Sequence, residues 1–312
     1  MSKKVAIFVS GGGSNMRTLV EDMTNAHPAR PCVVVSNNAE SGGISWAQGQ
    51  GIATEVVDHR PFNGDRTAFE HVLMTRLAKY EPDIICLAGF MRKLTGDFTE
   101  AWAGRMINIH PSLLPKYRGP SAVNWPIIMG EAKSGYSWFY PSDGLDEGDC
   151  LLQWECDIGP DDTVIDLYFK KIYPSAVESV LTVCDLFRSG NTPRIVPDES
   201  RATYERRCTK THARIEWHRP VGQVYNLIRG TNPAPGAWTT INGAELGIFD
   251  AALVQGDGVS GRVREISADG VSVQCIGGRV LVKRVRPTGG AKQSAADWAA
   301  SVGLKPGDKL GT

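Results

Sequence analysis

The sequence predicts an α/β protein in which a parallel sheet carries helices on both faces and is followed by a smaller β-barrel. Two observations predict the sheet. Short apolar runs rich in β-branched residues recur over roughly the first 110 residues, and helical patterns separate them. Strands that are buried on both faces and alternate with helices are typical of parallel sheets. A third observation predicts the barrel, because short alternating runs broken by glycines dominate the C-terminal part.

Five apolar runs are the candidate strands, and helices such as the one predicted over Thr67 to Lys79 fit between them. The runs are Val5 to Val9, Cys32 to Val35, Thr54 to Val57, Ile84 to Leu87 and Met106 to Ile109. This arrangement is Rossmann-like, and ligands of such sheets bind at the carboxyl ends of the strands, where the loops converge. Polar residues that directly follow a strand are therefore the first candidates for a site.

The chain is long enough for about two domains. We predict a catalytic domain over residues 1–189, closed by a helical stretch from Thr163 to Ser189. Residues 190–206 are polar and contain prolines, which is typical of a linker. In the second domain, residues 207–312, the patterns predict a helix over Val221 to Arg229 and strands over Val271 to Cys275 and Arg279 to Val285.

The overall charge gives no reason to expect a polyanionic partner, since Lys plus Arg and Asp plus Glu number 34 each. The C-terminal part differs. From Arg206 onward, fifteen basic residues stand against eight acidic ones, an excess that would create a positive face. The alternative is an ordinary solvated surface.

The cysteines predict a reducing compartment, and we expect the protein to be cytoplasmic. They number seven, are scattered, and include no CxxC pair, so they indicate neither a disulfide framework nor a zinc site. No stretch approaches about 18 uninterrupted apolar residues, and we therefore expect no membrane span.

The glycine-rich segment SGGGSN, residues 10–15, lies between the first predicted strand and the helix after it. Glycines let backbone N–H groups approach an anion, and the N-terminal end of a helix attracts negative charge. Gly12, Gly13, Ser14 and Asn15 are therefore candidates for binding a phosphate. The segment matches neither the dinucleotide fingerprint nor the Walker A loop, and a plain turn is the alternative.

Asn108 and His110 end the fifth predicted strand, in the segment NIHPSLLPKYRG, residues 108–119. Alternation along a strand places both side chains on the same face. An amide and an imidazole side by side can hold a carbonyl oxygen and move a proton, which acyl transfer requires. The alternative is a histidine with a purely structural role next to a proline turn.

Acidic residues are interspersed with glycines in SDGLDEGD, residues 142–149, which contains Asp143, Asp146 and Asp149. The calcium-loop pattern DxDxDG is absent, so we expect no metal site. A carboxylate close to His110 would favour the imidazolium form, and it could accept a proton from an attacking amine or water. The alternative is a turn with solvated acids.

Taken together, these segments resemble the 10-formyltetrahydrofolate-dependent formyltransferase family over nearly the whole chain. The resemblance rests on NIHPSLLPKYRG followed, 36 positions after His110, by Asp146 in GLDEGD. Residues 1 to about 119, with SGGGSNM and LAGFMRKLT, are most similar to glycinamide ribonucleotide formyltransferase. The remainder, with DDTVIDLY and NPAPGAW, is similar to the hydrolase domain of formyltetrahydrofolate dehydrogenase and to methionyl-tRNA formyltransferase. That similarity implies an OB-like C-terminal barrel.

The resemblance also implies roles for individual residues. The catalytic set would be Asn108, His110 and Asp146. The residues expected against the pterin of 10-formyltetrahydrofolate are Met91, Arg92, Leu94, Tyr140 and Asp143. Gly12, Gly13, Ser14 and Asn15 would hold the phosphate of the acceptor, and no metal is implied.

Because the same three catalytic residues could serve water as well as an amine, two reactions stay open. One is transfer of the formyl group to an amine, either of a phosphorylated small molecule or of methionyl-tRNA, whose phosphates the basic C-terminal half would suit. The other is hydrolysis of 10-formyltetrahydrofolate to formate and tetrahydrofolate. A third hypothesis is a nucleotide- or RNA-binding protein that keeps the fold without the activity.

Overall fold

The computed structural model describes residues 2–23 and 29–311, which form two compact units. The first unit takes its described residues from Met1–Arg118, Gly135–Trp154 and Tyr173–Thr203, and the second from Gly119–Ser134, Glu155–Ile172 and Tyr204–Thr312. Both units are therefore discontinuous in sequence.

A seven-stranded sheet forms the centre of the first unit. Its strands are β1 (Lys3–Val9), β2 (Ala29–Ser36), β3 (Thr54–Val56), β4 (Ile84–Leu87), β5 (Met106–His110), β6 (Lys133–Phe139) and β7 (Cys150–Asp157). The spatial order is β3-β2-β1-β4-β5-β6-β7. Strands β1 to β5 are parallel, whereas β6 runs antiparallel to β5. The five predicted strands are present, and β6 and β7 extend the sheet beyond them.

Helices pack on both faces of this sheet, because alternate residues of each strand point to opposite sides. The helices of the unit are α1 (Ser14–Met23), α2 (Gly42–Gly49), α3 (Arg66–Ala78), α4 (Gly96–Ala101) and α6 (Tyr173–Ser189). On one face Phe8 and Ile85 belong to a core with Leu73 of α3 and Phe98 of α4. On the other face the strand residues Val5, Ile84 and Ile107 surround a small cavity with Leu19 of α1 and Val183 of α6.

The helical stretch predicted over Thr163 to Ser189 is divided into two segments. A π-helical segment, Asp166–Ile172, precedes α6, which begins at Tyr173. Pro174 has no N–H group to donate, and proline is tolerated only in the first turn of an α-helix. The α-helix therefore begins just before this proline, and the residues before it form the longer-range hydrogen bonds of a π-helix.

The second unit contains two four-stranded sheets, whose assigned strand pairs are antiparallel. Their strands are β8 (Ala237–Ile241), β9 (Ala244–Ile248), β10 (Ala251–Val254), β11 (Val263–Ser267), β12 (Gly270–Cys275), β13 (Gly278–Val282), β14 (Arg284–Pro287) and β15 (Gln293–Ser294). The orders are β10-β13-β12-β11 and β15-β14-β9-β8. The described part of this unit also contains the α-helices α5 (Asn124–Met129), α7 (Val221–Gly230) and α8 (Ala295–Val302), besides the π-helical segment.

The single strand predicted over Arg279 to Val285 is two strands, because the chain leaves the ladder at Lys283. The N–H group of Lys283 donates to the carbonyl of Asp250, at 2.7 Å. The strands on either side of it, β13 and β14, consequently join different sheets. Of the helices in the described ranges, none combines the length and the apolar character needed to cross a membrane.

Leu246 and Leu253 offer a matched test of the core of the second unit. Leu246 on β9 is 2% exposed within this core, whereas Leu253 on β10 is 52% exposed. Leu246→Ala should lower the free energy of unfolding by about 2 to 5 kcal/mol, because it removes buried methyl groups and leaves a cavity. Leu253→Ala should lower it by less than about 1 kcal/mol. Denaturant unfolding measures both free energies. Equal losses in the two variants would show that Leu246 does not belong to the core of this unit.

Candidate active site

His110 is the last residue of β5, and its buried imidazole lies between two partners. The Nε2 atom lies 2.8 Å from the backbone carbonyl oxygen of Tyr117. The Nδ1 atom lies 3.6 Å from Oδ2 of Asp146. The fold therefore brings together two of the residues that the sequence singled out, although they are far apart in the chain.

The contact with Tyr117 determines which nitrogen of His110 can exchange a proton. A carbonyl oxygen only accepts hydrogen bonds, so Nε2 carries the hydrogen and Nδ1 is the nitrogen that gains or loses one. The separation of 3.6 Å between Nδ1 and the carboxylate of Asp146 is longer than a hydrogen bond. A substrate atom that reaches the Nδ1 edge could therefore exchange a proton with the imidazole beside a carboxylate.

The loop that carries Tyr117 is fixed by side chains of β6 and β7. Oγ of Ser137 donates to the carbonyl of Ser112, at 2.7 Å, and accepts from the N–H of Leu114, at 3.0 Å. Nε2 of Gln153 donates to the carbonyl of Leu114, at 2.8 Å. These bonds satisfy the backbone of a buried loop and hold it in one conformation.

Both partners of His110 have left-handed backbone conformations. The φ angle is 58° at Tyr117 and 50° at Asp146. Residues other than glycine rarely adopt this region, at a cost of about 1 to 2 kcal/mol each, and do so where surrounding contacts impose it, often at functional sites. The Asp146 loop is also tight, because a Cβ atom at Gly148 would lie 1.9 Å from the carbonyl oxygen of Tyr140.

Asn108 extends from the same face of β5 as His110. Its backbone is paired with Leu87 of β4 and Phe139 of β6, which fixes its position. The half-buried carboxamide makes no hydrogen bond to any other described residue. A fixed amide with unused donors is suited to hold an oxygen that acquires negative charge.

The segment SGGGSN forms the turn from β1 into α1. Gly13 has a φ of 71°, and a Cβ atom there would lie 2.8 Å from the Cα atom of Gly43. In the part of the chain that the structure describes, the backbone N–H groups of residues 12–15 donate no hydrogen bond. The Oδ1 atom of Asn15 is buried and also has no hydrogen-bond partner among the described residues. Free N–H groups at the start of a helix are suited to bind an anion.

Ser10 connects this glycine turn to the loop after β4. Its N–H group donates to the carbonyl of Gly89, at 3.1 Å, and its Oγ accepts from the N–H of Met91, at 2.7 Å. Strands β1 and β4 are neighbours although the chain visits β2 and β3 between them. Their carboxyl ends thus form the switch point at which sheets of this type bind ligands.

The residues expected against the pterin lie in different environments. Met91 is 79% exposed, Arg92 is half-buried, and Leu94 is buried in the core around Phe98. Tyr140 and Asp143 line an open groove of about 480 Å³, together with Gly96, Met106 and Arg194. This volume is within the usual range for small-molecule sites. Nζ of Lys93 lies 4.0 Å from Oδ1 of Asp143, which places the loop after β4 beside this groove.

Tyr140 is held at the groove by Arg194, whose guanidinium lies 4.5 Å from the centre of the tyrosine ring. Nη1 of Arg194 also lies 3.4 Å from Oδ2 of Asp149. Burial raises the pKa of the Tyr140 phenol, so Tyr140 stays neutral at physiological pH. Among residues 2–23 and 29–311, no three His, Cys, Asp or Glu side chains are grouped to hold a metal ion.

Family models match both parts of the chain. Residues 3–176 match the formyl transferase family, and residues 207–303 match the formyl transferase C-terminal domain. The chain belongs to the formyltetrahydrofolate-dependent formyltransferase family. The methionyl-tRNA formyltransferase of Geobacter metallireducens is a relative at 30% identity, over 77% of this chain and 76% of that protein.

Two further relatives match a smaller share of the chain. The mouse cytosolic 10-formyltetrahydrofolate dehydrogenase is 44% identical over 144 residues, 46% of this chain, but the match spans only 16% of that protein. The phosphoribosylglycinamide formyltransferase of Coxiella burnetii is 32% identical, with a TM-score of 0.59 over 65% of this chain and 99% of that one.

Several residues that shape the site gave little signal in the sequence. Tyr117 contacts His110 through its backbone carbonyl, a group that every residue carries. Ser137 and Gln153 lie on strands that the apolar pattern did not predict. Thr203 lies in the predicted linker, yet its Oγ1 accepts a hydrogen bond from the N–H of Tyr117, at 2.7 Å.

Gly13 and Gly12 give a matched test of the glycine turn. Gly13→Ala should lower the free energy of unfolding by about 1 to 3 kcal/mol, because alanine disfavours a positive φ and its Cβ would collide with Gly43. Gly12→Ala should change it by less than about 0.5 kcal/mol, since among the described residues beyond its two chain neighbours no atom lies within 4 Å of a Cβ at that position. Chemical denaturation measures both values. Equal stability of the two variants would contradict the conformation described for the turn.

Proposed function

We propose that the protein transfers the formyl group of 10-formyltetrahydrofolate to an amine acceptor. The observation that best supports this reaction is the position of His110, with Nε2 bound to a backbone carbonyl and Nδ1 facing Asp146. In this proposal Asn108, His110 and Asp146 are the catalytic residues. The chain's membership of the formyltransferase family supports the same chemistry.

In the proposed reaction the amine nitrogen attacks the formyl carbon and the bond from that carbon to N10 of the folate breaks. Asn108 and the protonated Nδ1 of His110 stabilise the oxyanion of the tetrahedral intermediate. The attacking amine loses one proton, and N10 must gain one as it leaves. Nδ1 of His110 carries the proton to N10, and Asp146 accepts the proton from the amine.

We propose that the pterin occupies the groove at Tyr140 and Asp143, beside the loop of Met91, Arg92 and Leu94. Exposed Met91 would cover an apolar surface of the folate, whereas buried Leu94 would shape the floor of the loop. The free N–H groups of Gly12, Gly13, Ser14 and Asn15 would bind a phosphate of the acceptor. The reaction needs no metal in this proposal.

Two acceptors remain in the proposal, a phosphorylated small molecule and methionyl-tRNA. The glycine turn supports the first. A methionyl-tRNA formyltransferase that matches 77% of this chain supports the second. The exposed cations Arg206, Arg207 and Arg214 could contact phosphates of a tRNA.

The arrangement of the chain is part of the same proposal. We assign residues 1–189 to a catalytic domain and 207–312 to an OB-like C-terminal domain, which the antiparallel sheets and the matched C-terminal family support. Residues 190–206 link the two in sequence, and those up to Thr203 pack within the first compact unit. We place the protein in the cytoplasm, because its seven cysteines are all free thiols.

Hydrolysis of 10-formyltetrahydrofolate to formate and tetrahydrofolate is the second candidate function. The similarity to 10-formyltetrahydrofolate dehydrogenases favours it, since the matched segments of 144 to 157 residues are 39–44% identical. Water would take the place of the amine, and the same residues would stabilise the same oxyanion.

Substitution of the proposed oxyanion donors should slow the reaction strongly. Asn108→Ala and His110→Ala should each lower kcat by about 100- to 1000-fold, the usual effect of losing one such donor. Formyl transfer or formate release from 10-formyltetrahydrofolate gives the rate, and far-UV circular dichroism checks folding. His71→Ala, an exposed histidine of α3, is the control and should keep the wild-type rate. Wild-type rates for both Asn108→Ala and His110→Ala would refute the assignment.

The acceptor can be identified by supplying candidates one at a time. We expect 10-formyltetrahydrofolate alone to release formate slowly, and tetrahydrofolate formation to accelerate at least about tenfold with the correct amine. Glycinamide ribonucleotide and methionyl-tRNA should be tested first, with mass spectrometry to detect the formylated product. Rapid formate release at a rate that no amine changes would establish hydrolysis and contradict transfer.

A further inference from the structure

Arg118 follows Tyr117 in the sequence, and its side chain is only 1% exposed. Its guanidinium makes a two-point contact with Glu199, with Nη1 2.8 Å from Oε2 and Nη2 2.6 Å from Oε1. Nη1 also lies 3.9 Å from Oε1 of Glu147, within the range of an ion pair. A buried guanidinium needs such carboxylates, because an unpaired buried charge is strongly destabilising.

These contacts join the two loops that bracket His110. Tyr117, next to Arg118, accepts the hydrogen bond from Nε2, and Asp146, next to Glu147, faces Nδ1. We infer that Arg118 is a positioning residue for formyl transfer, which sets the distance between the His110 imidazole and the Asp146 carboxylate through Glu147. This inference rests on the proposed function.

The two carboxylates around Arg118 act on different loops. Glu199 belongs to the segment that also anchors the Tyr117 loop. Oγ1 of Thr203 accepts a hydrogen bond from the N–H of Tyr117, at 2.7 Å, and its carbonyl oxygen accepts one from the N–H of Arg118, at 2.9 Å. The hydrogen bonds from Arg118 hold the pKa of Glu199 below its usual range, so Glu199 stays ionised at neutral pH. Glu147 extends the same charge contact to the Asp146 loop.

Charge explains why the distance from His110 to Asp146 depends on Arg118. Asp146 and Glu147 are adjacent acids in a tight loop, and the nearby guanidinium offsets their mutual repulsion. When the guanidinium is lost, Glu147 loses its 3.9 Å contact with Arg118, and Asp146 loses the support of its neighbour. A displacement of about 1 Å at a reacting group can cost about 100-fold in rate.

Arg118→Lys keeps the charge but removes the two-point contact. We expect kcat for 10-formyltetrahydrofolate turnover to fall at least about tenfold, because the loops separate, while KM for the folate changes less than about twofold. Arg229→Lys is the matched control, since Arg229 is another buried arginine whose contacts are with Gly159, Asp162 and Asn226. It should lower the melting temperature without changing kcat. An unchanged kcat in a folded Arg118→Lys protein would overturn the inference.

A double-mutant cycle separates positioning from general damage. If Arg118 acts through Asp146, then Arg118→Lys should cost less than about twofold when Asp146→Asn is already present. A residue that merely supports the fold would lower kcat by the same factor in both backgrounds. Multiplicative effects in the cycle would therefore overturn the positioning role.

A readout that does not need turnover distinguishes this inference from the proposed function. In protein labelled with ¹⁵N-histidine, Arg118→Lys and Glu147→Gln should change the Nδ1 chemical shift of His110, assigned by comparison with His110→Gln. The same shift in Arg229→Lys should stay at its wild-type value. Unchanged His110 signals in both site variants would overturn the inference. A wild-type protein that leaves 10-formyltetrahydrofolate intact would instead refute the proposed function, whereas the shifts would still report whether Arg118 positions His110.

Discussion

The arrangement of the site depends on one buried imidazole whose two nitrogens face different partners. The carbonyl oxygen of Tyr117 accepts a hydrogen bond from Nε2, and Asp146 faces Nδ1. This arrangement fixes one tautomer of the ring and leaves Nδ1 available to exchange a proton. A buried polar ring without partners would be costly, and a ring with both nitrogens in ordinary hydrogen bonds would be closed to a substrate. His110 avoids both situations, because Nδ1 lies 3.6 Å from the Asp146 carboxylate, close enough for an ion pair but too far for a hydrogen bond.

The sheet brings the other polar groups to this ring. Strands β1, β4 and β5 are parallel neighbours, so the glycine turn, the loop of Met91 and the pair of Asn108 and His110 lie at one edge. Asp146 reaches the site by a different route, because it follows β6, which runs antiparallel to β5. The rule that places ligands at the carboxyl ends of parallel strands therefore accounts for the first three groups but not for Asp146.

Contacts outside the proposed catalytic set hold the two partners of His110 in strained conformations. Positive φ angles at Tyr117 and Asp146 would relax in a free loop, and they persist because Ser137, Gln153 and Thr203 bind the backbone around Tyr117. The close approach of Gly148 to Tyr140 restricts the other loop. Residues 190–203, which read as a linker from composition, are part of this support, since they contribute Arg194, Glu199 and Thr203.

The sequence by itself determined the features that depend on local pattern. Apolar runs located the five parallel strands, and alternation placed Asn108 and His110 on one face, because side-chain direction follows from the period of a strand.

Tertiary structure alone decided which groups face the imidazole. The partner on Nε2 is a backbone carbonyl, which has no residue identity to recognise, and the Arg118 fork joins residues 81 positions apart. Strands β6 and β7 were not predicted, because serine, tyrosine, glutamine and glutamate interrupt their apolar pattern. Their buried residues are covered by neighbouring strands and helices, which only the tertiary structure brings together.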